Sequence, residues 1–235
     1  MKEALNIVWL KRDLRLQDHL PFFEAENNSK CNYLPIYIME PSAMAYPDSS
    51  LRHLQFVYHS ILEMNSVLAA FSRKIQLLHG EAMDVFTVLS EKYDIQNVYS
   101  YQESGVKATW DRDKNISSLF KRKGIKWTEF QRDGIIRGIK NRINWDKNWF
   151  AAVNSPLILN VYSHNAVPLK SFSFDLPESL EKSLQKDPDS FQKPGESYAM
   201  RYIKSFCEGR GANYSRHISK PKESRKSCGR RPPYL

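Results

Sequence analysis

Cysteine is scarce in this chain, with three residues in 235, Cys31, Cys207 and Cys228, standing far apart. Their odd number and their spacing fit neither a disulfide framework nor a zinc site, so we expect free thiols in a reducing cytosol and no metal. Long apolar runs are also missing, since the first one, 7–10, ends after four residues. We therefore expect a cytoplasmic protein without export or membrane insertion.

Several motifs of common enzyme classes are absent as well. The chain contains no GxGxxG, no GxxxxGK[ST] and no GxSxG, which argues against an ordinary dehydrogenase, a P-loop enzyme and an α/β hydrolase. The six histidines are scattered without metal-ligand spacing, and we expect them to be core or surface residues rather than ligands or bases.

What the chain has in excess is positive charge, with a formal net charge of +9. Segment 121–142 carries eight basic side chains against two acids, and segment 210–235 carries eight against one. Each stretch is either a solvated surface or a surface that binds phosphate, and the sequence favours neither reading.

Short apolar runs alternate with longer helical patterns through the first 130 residues. The predicted strands are 5–10, 33–39, 74–79, 95–101 and 125–130, and the clearest helices are 51–71, 82–93 and 107–123, the last of them ending at Gly124. Repeated strand–helix units with continuous apolar strands indicate an α/β fold. We predict an open, doubly wound, Rossmann-like parallel sheet of five strands with flanking helices.

The pattern changes after residue 131. We predict an α/β domain over 1–131 and an extended interdomain linker over 132–194, with about one helical turn. An amphipathic helix then begins near Gly195, with Ala199, Tyr202, Ile203 and Phe206 on one face. Since a single helix cannot make a core, we expect it to lack a partner and interpret 195–235 as the truncated start of a second, helical domain.

One short stretch places mixed charge at the end of the first strand. In "VWLKRDLRLQDH" (8–19), Arg12, Asp13 and Arg15 follow directly after the apolar run. Ligands of doubly wound sheets bind beyond the carboxyl ends of the strands, where arginine suits anionic or planar groups. The alternative is a structural cluster in which these side chains pair with each other or with later loops.

That stretch resembles the amino-terminal signature of DNA photolyases and cryptochromes. Further resembling segments follow in the same order: 49–68, 77–105 with Arg112 and Asp113, 135–149 and 195–230. The resemblance implies an amino-terminal α/β domain that often carries an antenna pigment. It also implies a helical domain that holds FAD and a flipped pyrimidine dimer of damaged DNA.

The resemblance further implies individual site residues. Arg12, Arg52 and Glu103 match positions that border or contact the antenna pigment. Ala108 and Thr109 stand where folate-binding bacterial members have an Asn-Glu pair, so a deazaflavin, a flavin or no pigment is expected rather than a folate. Tyr214 and Ser227, the latter in "SCGR" (227–230), match the start of the FAD-phosphate site.

The family pattern is lost at Arg231, where family members continue toward Ala-Trp-Gly and the helical domain. We therefore expect a monomeric amino-terminal portion of a photolyase that lacks the catalytic FAD domain and is inactive alone. No catalytic residue is predicted. Two alternatives stay open: a cryptochrome-type photoreceptor or free antenna module, and a nucleic-acid-binding α/β module that uses the basic tail.

Overall fold

A five-stranded sheet forms the centre of the computed structural model, which describes residues 2–28, 31–163, 174–186, 192–217, 220 and 222–223. Its strands are β1 (Glu3–Leu10), β2 (Asn32–Met39), β3 (Gln76–His79), β4 (Tyr93–Tyr101) and β5 (Lys126–Phe130). Their order is β3-β2-β1-β4-β5, and all neighbours pair in parallel. The predicted fold class is thereby confirmed, and each predicted strand overlaps an observed one.

Helices connect the strands and continue beyond the sheet. They are α1 (Leu20–Asn27), α2 (Pro41–Met44), α3 (Leu51–Leu68), α4 (Ala82–Lys92), α5 (Lys107–Lys123), α6 (Trp145–Val153), α7 (Glu178–Leu184), α8 (Glu196–Ser205) and α9 (Tyr214–His217). A short 3-10 turn, Ala69–Phe71, extends α3, and a π-helical turn, Phe206–Arg210, extends α8. No described helix is both long enough and apolar enough to cross a membrane.

The sheet is covered on both faces, which explains its apolar strands. Alternate residues of β1 enter different cores: Leu5, Ile7 and Trp9 pack with α4 and α5, whereas Val8 and Leu10 pack with α1 and α3. Burial of each such side chain stabilises the fold by roughly 1.5–3 kcal/mol. Because helices cover both faces of the sheet, the carboxyl ends of its strands stay accessible to solvent.

The predicted linker is more folded than the sequence indicated. Helix α7 packs on α3: Leu184 is fully buried, and Gln55 Nε2 donates to the Ser183 carbonyl at 2.9 Å. Leu176 and Leu180 join Leu184 in this contact at four-residue spacing. The segment therefore holds more helix than the single turn expected, because a short apolar stripe docks onto α3 within a polar segment.

Residues 157–163 of the same segment run along the loop after β1. Asp18 N donates to the Ile158 carbonyl at 3.0 Å, and His19 N donates to Asn160 Oδ1 at 2.8 Å. The Tyr162 hydroxyl donates to the Leu16 carbonyl at 2.6 Å, and its ring is buried. These bonds hold the loop that carries Arg12 and Asp13.

Helix α8 also differs from the prediction, which left it without a partner. Leu16 N donates to Glu196 Oε2 at 2.9 Å, and Ser197 N donates to Glu63 Oε1 of α3 at 2.9 Å. The contacts come from the polar first turn, so the apolar spacing on which the prediction rested could not reveal them. Most of the basic tail, including 224–235, lies outside the described residues.

Candidate ligand site at the carboxyl edge of the sheet

The strand order places a crevice between the carboxyl ends of β1 and β4. The chain proceeds outward from β1 to β2 and β3 and then returns to β4 on the other side of β1, and ligands of open α/β sheets bind at such a reversal. Arg12 follows β1, Glu103 follows β4, and Arg12 Nε donates to Glu103 Oε1 at 3.0 Å. Two of the predicted antenna residues thus meet at this point.

Arg112 of α5 organises the carboxylates at this edge. Its Nη1 lies 2.7 Å from Glu40 Oε1, and its Nη2 lies 2.6 Å from Glu103 Oε2 and 2.8 Å from Asp113 Oδ1. Burial acts to lower the pKa of Arg112, but the three carboxylates outweigh it and raise that pKa above its ordinary value. Arg112 is therefore a permanent cation that fixes Glu103 from the protein side.

Lys11 belongs to the interior of the same cluster. Its Nζ lies 3.0 Å from Asp113 Oδ2 and over the rings of Trp9 and Trp127, at 4.4 and 5.0 Å from their centroids. Burial lowers the pKa of Lys11, although Asp113 opposes the shift. The side chain is only 4% exposed, so it supports the site and does not face a ligand.

Asp13 pairs with His19 beneath the loop, with Oδ2 and Nε2 2.7 Å apart and both side chains buried. His19 Nδ1 accepts the Phe22 N–H at 3.2 Å, from which we assign the ring proton to Nε2. Burial acts to raise the pKa of Asp13, but the hydrogen bond from His19 and that from Lys11 N hold it below its ordinary value. His19 is thus a core residue, and the pair is structural.

Arg12 is the cation that the crevice offers to a ligand. Its side chain is 57% exposed, whereas Glu103 is only 5% exposed. In the part of the chain that the structure describes, Arg12 pairs through Nε alone, which leaves its terminal nitrogens as donors. An arginine aimed by a buried carboxylate can hold an anionic group or the carbonyls of a planar ring.

A second wall of the crevice comes from the segment after β5. Arg137 Nη2 donates to the Glu103 carbonyl at 2.6 Å, and its Nη1 lies 3.3 Å from Glu129 Oε1. Its guanidinium lies 6.0 Å from the centroid of Trp110, which is 43% exposed. Arg137 is thus joined to Arg12 through Glu103, and Trp110 adds an exposed aromatic ring next to Arg137.

Sequence reasoning did not assign roles to Arg112, Arg137 or Trp110. A signal for Arg112 exists, because it stands four residues before buried Ile116 of α5 and thus on the apolar side of that helix. An arginine on an apolar stripe indicates a buried ion pair. No comparable spacing marks Arg137, which lies in a loop between elements.

The other predicted site residues lie on separate elements. Arg52 is exposed in the first turn of α3. Tyr214 begins α9, half-buried, with its ring edge-on to Phe206 at 5.4 Å. Ser227 lies outside the described residues. The structure therefore brings Arg12 and Glu103 together, whereas the predicted FAD-phosphate contacts of Tyr214 and Ser227 stay a prediction.

A cavity of about 380 Å³ lies elsewhere, near the amino ends of the first two strands, and its lining includes Glu3, Glu26, Cys31 and Arg73. Arg73 there is already paired with Glu26 at 3.1 Å. Burial raises the pKa of the Cys31 thiol, which disfavours a reactive thiolate. Among the described residues, no group of three or more His, Cys, Asp or Glu is placed to hold a metal ion.

The chain matches the family model for DNA photolyase over residues 6–138. It is 22% identical over 224 residues to the deoxyribodipyrimidine photo-lyase of Buchnera aphidicola, covering 86% of this chain and 44% of the relative. It is 22% identical over 237 residues to that of Synechococcus, covering 93% and 48%. The chain thus spans about half the length of these curated relatives.

Solved structures of similar proteins share the fold. An archaeal photolyase from Sulfolobus tokodaii, described with two FAD molecules and a novel light-harvesting cofactor, has a TM-score of 0.64 at 18% identity, covering 85% of this chain and 46% of that one. A bacterial class III photolyase from Agrobacterium tumefaciens gives 0.66 at 21%, covering 92% and 47%. A Synechocystis cryptochrome gives 0.73 at 15%, covering 92% and 49%.

Proposed function

Because the chain belongs to the DNA photolyase family, we propose that it is the amino-terminal, light-harvesting part of a photolyase-type protein that repairs pyrimidine dimers in damaged DNA. We assign the antenna domain to 1–131, the linker to 132–194 and the start of an FAD-binding helical region to 195–235. The observation that carries the antenna role is Arg12, exposed at the sheet's switch point and aimed by buried Glu103.

The pigment that this crevice suits best is a flavin or a deazaflavin. Such a ring system carries carbonyls that Arg12 can donate to and a flat face that Trp110 can pack against. The positions that matter for folate are unfavourable, because Ala108 has no polar group and the Thr109 hydroxyl already donates to the Val106 carbonyl at 3.0 Å. A second flavin is also part of the description of the archaeal relative.

Pigment binding tests this proposal directly. The purified full chain is titrated with flavin mononucleotide and followed by quenching of flavin fluorescence. We expect Arg12→Gln to weaken binding by roughly tenfold, the scale of a lost charge-assisted hydrogen bond. Lys107→Gln is the matched control, since Lys107 is 86% exposed at the start of α5 and pairs only with nearby Asp111 among the ion pairs described.

The variant Arg52→Gln tests how far the pigment contact extends. If it loses as much flavin affinity as Arg12→Gln, the contact reaches α3, as the family resemblance implies. If its flavin affinity is unchanged, the contact is confined to the crevice. Flavin binding that is absent, or that Arg12→Gln leaves unchanged, contradicts the antenna role.

The choice between repair and signalling needs a separate assay. An irradiated oligonucleotide is incubated with the chain and FAD under blue light, and the remaining cyclobutane dimers are counted against a dark control. Light-dependent loss of dimers supports repair. Retained dimers are also expected of a chain that is inactive alone, so only a light-induced change in the pigment spectrum favours the cryptochrome-type alternative.

A further inference from the structure

The segment after β5 exposes an unusual density of aromatic rings. Every residue from 138 to 151 is exposed, and Trp145, Trp149 and Phe150 are exposed by 40%, 37% and 56%. We use the name Trp surface for these rings and the cations beside them: Lys140, Arg142, Trp145, Lys147, Trp149 and Phe150. Rings of this size are normally buried, so their exposure together indicates a binding surface.

The rings are held in place by the fold. Trp145 and Trp149 stand four residues apart on α6, and their rings stack at 6.3 Å with an interplanar angle of 17°. Trp149 lies against Gly134 so closely that a Cβ at Gly134 would meet the Trp149 Cα at 2.9 Å. The glycine therefore lets Trp149 sit on the backbone after β5, which leaves Trp145 as the outer ring of the stack.

The charge around the rings is positive and unpaired. Segment 138–151 carries Lys140, Arg142 and Lys147 against one acid, Asp146. Within the described residues, none of these three cations has an ion-pair or hydrogen-bond partner through its side chain. A second copy of the chain would bring like charges together, so the surface favours an anionic partner.

We propose that the Trp surface binds single-stranded nucleic acid. A base would stack on the outer face of Trp145, as bases do on exposed aromatic side chains. Lys140, Arg142 and Lys147 would contact the neighbouring phosphates. This activity goes beyond the proposed antenna function, because it uses neither Arg12 nor a pigment, and it would hold unpaired DNA without sequence preference.

The test uses the full chain and a fluorescein-labelled twelve-residue oligothymidylate, followed by fluorescence anisotropy at low and moderate salt. Trp145→Ala should weaken binding by roughly tenfold, and Trp145→Phe should retain most of the affinity because it keeps an aromatic face. Replacing Lys140 and Arg142 together by glutamine should reduce the salt slope by about 1.4, the amount expected for two single-strand phosphate contacts.

Matched controls separate the surface from general effects of charge and exposure. Phe56→Ala removes a ring of α3 that is 43% exposed, and Lys121→Gln with Lys123→Gln removes two exposed cations from the end of α5. Both should bind as the parent does. Absence of oligothymidylate binding, binding that Trp145→Ala leaves unchanged, or equal loss in the controls overturns the proposal. Self-association that Trp145→Ala abolishes, seen by sedimentation without nucleic acid, overturns it in favour of a second copy.

Discussion

At the scale of single residues, the site depends on which charges are buried and which are not. Glu103 pairs with two arginines. Arg112 is largely buried and fixes the carboxylate from the protein side, whereas Arg12 is exposed and is oriented by the same carboxylate at the surface. Because the carboxylate is fixed before any ligand arrives, Arg12 does not have to be ordered on binding. One buried acid thus turns a flexible arginine into a directed donor.

Asp13 gives a pH-dependent prediction at this scale. Its folded-state pKa lies below the ordinary value, so the ionised form stabilises the fold above the unfolded-state pKa, and this stability is lost as pH falls through the folded-state pKa. Asp13→Ala should lower the free energy of unfolding by about 2–3 kcal/mol at neutral pH, since it leaves the His19 and Lys11 donors without an acceptor.

Urea unfolding between about pH 2 and pH 7 measures this effect. The difference between parent and variant should shrink toward the acid end, because only the parent loses the Asp13 contribution there. Asp111→Asn is the control, since water screens its exposed pair with Lys107. A difference that does not change with pH would contradict the linkage.

The meeting of Arg12 and Glu103 could be predicted from sequence, because both follow strands that a doubly wound sheet brings to one edge. The role of Arg112 could not be assigned in the same way. Its three carboxylate partners come from the end of β2, the loop after β4 and its own helix, and their convergence depends on how α5 packs on the sheet. Strand order locates such a site, whereas packing decides which charge is buried.

At the scale of elements, predictability follows the length of the apolar pattern. The strands and α3, α4 and α5 have long repeats, so their existence is visible in the sequence. Helices α6 and α7 are short and lie among Asn, Ser and Pro residues, and each depends on a local contact, Trp149 with Gly134 or Leu184 with α3. Helices of this length are stabilised by docking rather than by propensity.

The end of α5 gives a prediction for one element. Gly124 ends this helix in the left-handed region at φ 71°, and a Cβ there would meet no atom within 4 Å. Gly124→Ala should therefore cost roughly 1–2 kcal/mol of unfolding free energy through backbone strain alone. Gly209→Ala is the control, since it also faces open space but without a positive φ. Urea unfolding of both variants checks the prediction, and equal stabilities would contradict it.

At the scale of the whole molecule, the segment after the sheet is part of the fold rather than a passive connector. Asn160 bonds the backbone of His19 from both sides, Tyr162 enters the core formed by α1 and α3, and Leu184 is buried against α3. Asn160 and Tyr162 are single side chains, and the apolar stripe that ends at Leu184 is short, so the composition of 132–194 predicted a linker and did not reveal its docking. The loop that carries Arg12 is therefore braced by residues far along the chain.

This bracing predicts that residues 1–131 do not have the stability of the longer chain. A fragment ending at residue 131 loses the buried ring of Tyr162, buried Leu184 and the Asn160 hydrogen bonds. We expect its free energy of unfolding to fall by about 4–9 kcal/mol, about 3–6 from the two buried side chains and about 1–3 from the two Asn160 bonds. A fragment of residues 1–186 keeps all three and should lie within about 1–3 kcal/mol of the full chain, since it loses chiefly the Leu16–Glu196 and Ser197–Glu63 hydrogen bonds. Thermal and urea unfolding of the full chain and the two fragments measure these differences. A 1–131 fragment with the same free energy of unfolding as the full chain would show that the linker does not stabilise the domain.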